Sequence, residues 1–166
     1  MLQQKQALVL AVIAGLLSLL PGWAMAEDKA LLQGEWVPVK LVAAGEEAPE
    51  EVYKELRIEF AGDEFKAVGL DGEQEVYRFT LDATKDPKWI DLTRKAADEP
   101  ETMLGIYKLE GNKLTLTFSS PGSVRSTAFE SVDDGDSPNL VLMEFWRAEP
   151  KPELGGGLGL AVPAGE

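Results

Sequence analysis

The run from Leu104 to Phe118 constrains this chain more than any other stretch. Two segments of period-two character flank Gly111-Asn112, the pattern of a β-hairpin closed by a two-residue turn. With that turn, Glu110 stands opposite Lys113, Leu109 opposite Leu114, Tyr107 opposite Leu116 and Gly105 opposite Phe118. The apolar partners share one face, while Glu110/Lys113, Lys108/Thr115 and Ile106/Thr117 share the other. A slip of one residue would turn a Leu, Tyr and Phe set into water, so the register is well specified.

The same logic predicts a second hairpin around Gly62-Asp63, with Phe60 against Phe65, Ile58 against Ala67 and Glu59 against Lys66. A third turn follows near Asp71-Gly72. A three-residue loop from Asp71 to Glu73 predicts Phe65/Phe79, Ala67/Tyr77 and Val68/Val76 pairs, and sets Lys66 beside Arg78 near Glu59. Before these hairpins, Gln33 to Val42 reads as a first strand in which Pro38 marks an edge or a bulge. Ala43 to Glu51 reads as a loop, with a helical turn toward Lys54. Trp89 to Leu92 is a short strand, Thr93 to Thr102 a loop or short helix, Thr127 to Val132 a further strand, and Asn139 to Arg147 the last. About nine closely spaced strands and no long amphipathic helix predict an all-β protein, a meander, barrel or sandwich.

Residues 1–26 carry one charge, Lys5, then an apolar run from Ala7 to Leu20 and a small-residue stretch ending Ala24-Met25-Ala26. This is the pattern of a signal peptide, with cleavage expected before Glu27 and an exported, periplasmic or extracellular destination. The expected body spans residues 27–147, and residues 148–166 form a Pro/Gly-rich tail read as flexible. After the leader, 15 basic residues face 29 acidic ones, a net charge of −14. Phosphate contacts need clustered Lys and Arg, so nucleic acid is not an expected partner; the charge reads as solubility. No cysteine follows the leader, which excludes a lipid-anchored lipoprotein and any disulfide framework. No membrane anchor is expected once the leader is removed.

The chain has no histidine and no cysteine, so the commonest general base, metal ligand and strong nucleophile are missing. There is no Gly-x-Ser-x-Gly elbow, Ser-x-x-Lys pair, phosphate loop or dinucleotide fingerprint. Two carboxylates would suffice for a glycosidase, but among 29 acids a pair carries no information. Asp133 to Asn139 holds hard oxygen donors without the spacing of an EF-hand, and reads as a solvated turn. No catalytic residue, metal ligand or cofactor is therefore expected.

Four ordered motifs carry a resemblance: Leu32-Gln33-Gly34-x-Trp36, Ile90-Asp91-Leu92-Thr93, Leu104-Gly105-Ile106-Tyr107 continuing through Gly111-Asn112, and Pro121-Gly122 followed by Phe129. From about Leu31 to Arg147 the chain resembles a family of small exported lipocalin-like domains, heavily duplicated in planctomycete-type bacteria and without an assigned function. The resemblance implies a calycin-type antiparallel up-and-down barrel of about eight strands. It also implies a structural barrel closure by Gly34, Trp36 and Arg147, with the guanidinium stacked on the indole. Thr117 departs from the pattern, since many members carry a cysteine there.

The hairpin face shared by Phe60, Phe65, Tyr77, Phe79, Tyr107, Leu116 and Phe118 must line the inside of whatever closes. Barrels of this size either fill with side chains or hold one small ligand, and the sequence leaves both open. With a cavity, Tyr77 and Tyr107 are the polar handles. The leading expectation is a non-enzymatic barrel binding a small apolar ligand. The alternative is a protein-interaction or cell-envelope module with a filled core.

Overall fold

The computed structural model describes residues 21–69, 72–95, 100–132 and 141–149. A helix, α1 (Pro21–Leu32), leads into β1 (Gly34–Ala43), followed by β2 (Glu46–Glu47) and a single helical turn, α2 (Glu50–Tyr53). Then come β3 (Arg57–Ala61), β4 (Glu64–Val68), β5 (Gln74–Asp82), β6 (Lys88–Arg94), β7 (Thr102–Glu110), β8 (Lys113–Phe118) and β9 (Val141–Arg147). Each strand from β3 onward pairs antiparallel with its successor, and β9 pairs with β1. The sheet thus closes into an eight-stranded antiparallel barrel, with the two-residue β2 attached to the end of β1. Closure removes the exposed edges that would invite aggregation.

The hairpins form because alternation and turn chemistry agree. β7 and β8 pair in the register their sequence predicts, Gly105 with Phe118 through Glu110 with Lys113. β3 and β4 likewise pair Phe60 with Phe65 and Ile58 with Ala67. Gly62 and Gly111 supply the left-handed backbone these turns need, at φ 63° and 60°.

The β4–β5 pairing corrects the sequence reading. Phe65 faces Tyr77, not Phe79, and Val68 faces Gln74, not Val76. The loop closes one residue earlier than expected, with the Gly69 amide donating to the Glu73 carbonyl at 3.0 Å; Leu70 and Asp71 lie outside the described residues. A shift of two residues keeps every side chain on its expected face. It also sets Arg78 opposite Glu64 and leaves Lys66 opposite Val76, so like charges do not face each other.

Thr127 to Val132 is not a strand. Both sides of β8 are already taken, by β7 and β9, which leaves the segment no edge to join. Ser126 instead bonds locally, its hydroxyl donating to the Ala128 carbonyl at 2.7 Å, an alternative that serine offers the backbone. β6 runs further than expected, to Arg94. The acidic run Asp133 to Asn139, the leader up to Leu20 and the tail beyond Glu149 lie outside the described residues.

The β1–β9 register shifts between Pro38, paired with Phe145, and Lys40, paired with Glu144, so Val39 is bulged directly after the proline that cannot donate to the ladder. β1 pairs with β3 over only three residues, Gly34 to Trp36. Farther along, α2 sits against β1, and the Tyr53 hydroxyl donates to the Val39 carbonyl at 3.2 Å.

Candidate functional site

The barrel's two ends differ. One carries the Gly62-Asp63 and Gly111-Asn112 turns, the β5–β6 connection, and the chain's entry and exit at Gly34 and Arg147. Across this end lies α1, fastened at several points. Leu32 is fully buried in the core, and the Trp36 indole donates to its carbonyl at 2.8 Å. Gln33 bridges to the β3–β4 turn by accepting from the Gly62 amide at 2.7 Å. Lys29 pairs with Asp63.

The expected closure residues meet here. The Arg147 guanidinium carbon lies 4.2 Å from the Trp36 ring centroid, and the same group donates to the carbonyls of Gln33, at 2.7 Å, and Leu31. Gly34 adopts φ 106° beside it, a backbone that a β-carbon would strain. Trp36 thus gains a cation on its face and an acceptor for its N–H.

Deeper in this end stands a cluster that the sequence did not announce. Asp28 is only 8% exposed, and one of its oxygens accepts from both Lys88 Nζ and the Tyr107 hydroxyl, each at 2.6 Å. A buried carboxylate without partners would be costly; here it has a cation and a phenol. Burial, and then the carboxylate it donates to, pushes the Tyr107 phenol far above its ordinary range. Tyr107 and Lys88 are cross-strand partners, so β6 and β7 hold the two donors side by side while α1 brings the acceptor. Asp28 lies two residues past the predicted cleavage point, in a stretch without clear amphipathic patterning. Only the need of a buried tyrosine for a partner hinted at it.

A cleft of about 350 Å³ opens beside this cluster. Its walls are Tyr107, Leu109, Pro87 and Phe129, with Asp86, Lys88 and Lys108 as polar groups. Phe129 comes from the long β8–β9 connection, which Arg125 fastens to the outside of the barrel. Arg125 donates to Asp91 Oδ1 at 2.5 Å and to the Gly105 carbonyl at 2.6 Å, and stacks on Trp89 at 4.2 Å. A second cleft, of about 440 Å³, lies between α1 and the end of β5.

The remaining residues expected to line a cavity lie in the barrel interior. Phe60, Phe65, Tyr77, Phe79, Tyr107, Leu116 and Phe118 are all buried and belong to one contiguous cluster with Trp36, Ile58, Ile90, Leu92, Leu114 and Phe145. Phe60 meets Phe65 and Phe79 edge-on at centroid distances of 5.1 and 5.0 Å, and Phe65 meets Tyr77 and Phe118 at 6.1 and 6.5 Å. Such edge-to-face contacts are those of a core. At the far end, the Tyr77 hydroxyl donates to Glu75 at 2.7 Å. Burial raises its pKa above the ordinary value, and the neighbouring Arg94 opposes the shift. On the surface, the hydrogen bond and charge of Lys29, then at longer range Arg78 and Lys95, hold the Asp63 carboxyl below its ordinary value.

Among the described residues no group of three or more acidic side chains is placed to hold a metal ion. No family model, no curated protein and no solved structure matches the chain.

Proposed function

We propose that this barrel is a non-catalytic, exported member of the lipocalin-like kind that its motifs resemble, and that it binds a small, largely apolar molecule in the cleft beside Tyr107. The cleft itself carries this reading. Its volume of about 350 Å³ falls within the range of small-molecule sites, and Pro87, Leu109, Phe129 and Tyr107 give it apolar walls. The contiguous aromatic cluster in the barrel interior supports placing the ligand here and not along the barrel axis. Asp28 holds both polar groups in place: Lys88 keeps ammonium protons to donate to a ligand oxygen, and the Tyr107 hydroxyl, its proton given to Asp28, can accept from a ligand donor, beside an apolar body.

A second reading, the interaction or envelope module, draws support from the same filled interior and from Trp146. That side chain stays 51% exposed on the outer face of β9, opposite Val37 of β1.

An apolar fluorescent dye separates the two. Binding at one site per chain, weakened several-fold by Phe129→Ala and unchanged by Trp146→Ala, is the expected result, with unaltered circular dichroism for both variants. Dye binding insensitive to Phe129→Ala would remove the cleft reading.

A further inference from the structure

The second cleft differs in character from the first. Its lining is part apolar, with Phe79 and Leu81, and part polar, with Lys29, Asp63, Thr80 and Arg78. At about 440 Å³ it is also large enough for a small organic molecule.

Its charge balance is unusual for this chain. The formal net charge is −13, so a generic surface cleft should be acidic. The one acid on its lining, Asp63, pairs with Lys29, and the adjoining Glu64 pairs with Lys95. The Arg78 guanidinium makes no hydrogen bond or ion pair among the described residues, and acts on Asp63 only at longer range. The Glu64 set opposite it across the strands is engaged by Lys95 instead. A guanidinium offers a planar fork that carboxylates and phosphates match with two parallel hydrogen bonds. Here that fork is left over on a cleft whose lining is part aromatic and aliphatic, and Lys29 Nζ lies 5.9 Å from the Phe79 centroid.

We propose that the cleft between α1 and β5 is a second binding site that takes a small amphipathic anion, its carboxylate or phosphate held by Arg78 and its apolar part laid on Phe79 and Leu81. The proposal is independent of the cleft beside Tyr107, which shares none of these residues.

The test titrates the purified protein with octanoate, octan-1-ol and inorganic phosphate, followed by calorimetry and amide chemical shifts. Octanoate should bind and shift the amides of residues 78–81, while octan-1-ol and phosphate alone should each bind about tenfold more weakly or worse. Arg78→Gln, at an exposed position, should keep the melting temperature and weaken octanoate by about tenfold. Lys54→Gln, which removes an equal charge elsewhere, should leave octanoate binding unchanged. Equal binding of octanoate and octan-1-ol would overturn the role of the anion. Phosphate binding as tightly as octanoate would overturn the role of the apolar lining. Octanoate binding abolished by Phe129→Ala and untouched by Arg78→Gln would place the molecule in the Tyr107 cleft, refuting this proposal while sparing the preceding one.

Discussion

Gly105 offers the sharpest test of the barrel's internal geometry. It lies on β7 opposite Phe118, and a β-carbon there would sit 2.5 Å from Phe118 Cδ1, 2.6 Å from Cε1 and 2.8 Å from the Thr117 carbonyl oxygen. Ordinary carbon contacts are about 3.5–4.0 Å. The Phe118 ring therefore covers the glycine's backbone, an aromatic side chain filling the space that a missing side chain leaves across the strands. In Gly105→Ala the ring could swing away only into the aromatic cluster around Phe65, and the Thr117 carbonyl is held by its ladder. Overpacking of this kind costs about 1–3 kcal/mol, from which the reduced entropy of the unfolded chain returns about 0.4–1 kcal/mol. Taken from the middle of each range, the net loss is about 1–2 kcal/mol. At an unfolding entropy of about 2.1 cal/mol/K per residue over a body of some 120 residues, that lowers the melting temperature by about 4–8 °C. Differential scanning calorimetry reads the shift, and adding Phe118→Leu should recover part of it. An unchanged melting temperature in Gly105→Ala would refute the close approach of ring and backbone.

Further outcomes follow from the same structure. The Thr117 hydroxyl is fully buried with no hydrogen-bond partner among the described residues, so Thr117→Val, which keeps its shape, should raise stability by about 1 kcal/mol, or some 4 °C by calorimetry; a loss of stability would mean the hydroxyl is satisfied. Gly111→Val forces a β-branched residue into φ 60° in the turn and should lower the melting temperature by about 4–8 °C from about 1–2 kcal/mol of strain; no change would deny the left-handed turn. Tyr77 and Tyr107 have folded pKa values raised above the unfolded value of about 10, so the stability they contribute is intact below pH 10 and is lost as pH rises through their folded values. Ultraviolet titration should then show Tyr107 ionising only with alkaline unfolding and Tyr77 ionising above its ordinary value, and Tyr107 ionising in the folded protein near pH 10 would contradict its burial.

The hairpins were legible because each carries its own register: Tyr107, Leu109, Leu114 and Leu116 can face the core together in only one pairing with Gly111 in the turn. The β4–β5 pairing was less legible because shifts of two residues preserve the inward face. Only charge, Lys66 against Arg78, argued against the wrong one. Trp36 and Arg147 were reached through a resemblance, not through spacing. The placement of α1 across the barrel end was not legible. Asp28 is one acid among 29, and it becomes distinctive only when α1 carries it 79 residues away in sequence to the Tyr107 hydroxyl. The two clefts escaped notice for the same reason, since each is assembled from turns, a helix and a long connection whose mutual placement no local pattern encodes.

The barrel interior is core, and the small-molecule site proposed above would lie at the end that α1 covers. The chain is purified under native conditions and extracted with organic solvent, and co-purifying compounds are identified by mass spectrometry. The expected result is a largely apolar compound at one per chain, lost in Phe129→Ala and retained in Phe118→Leu. A compound retained in Phe129→Ala and lost in Phe118→Leu would place the site inside the barrel and contradict that placement.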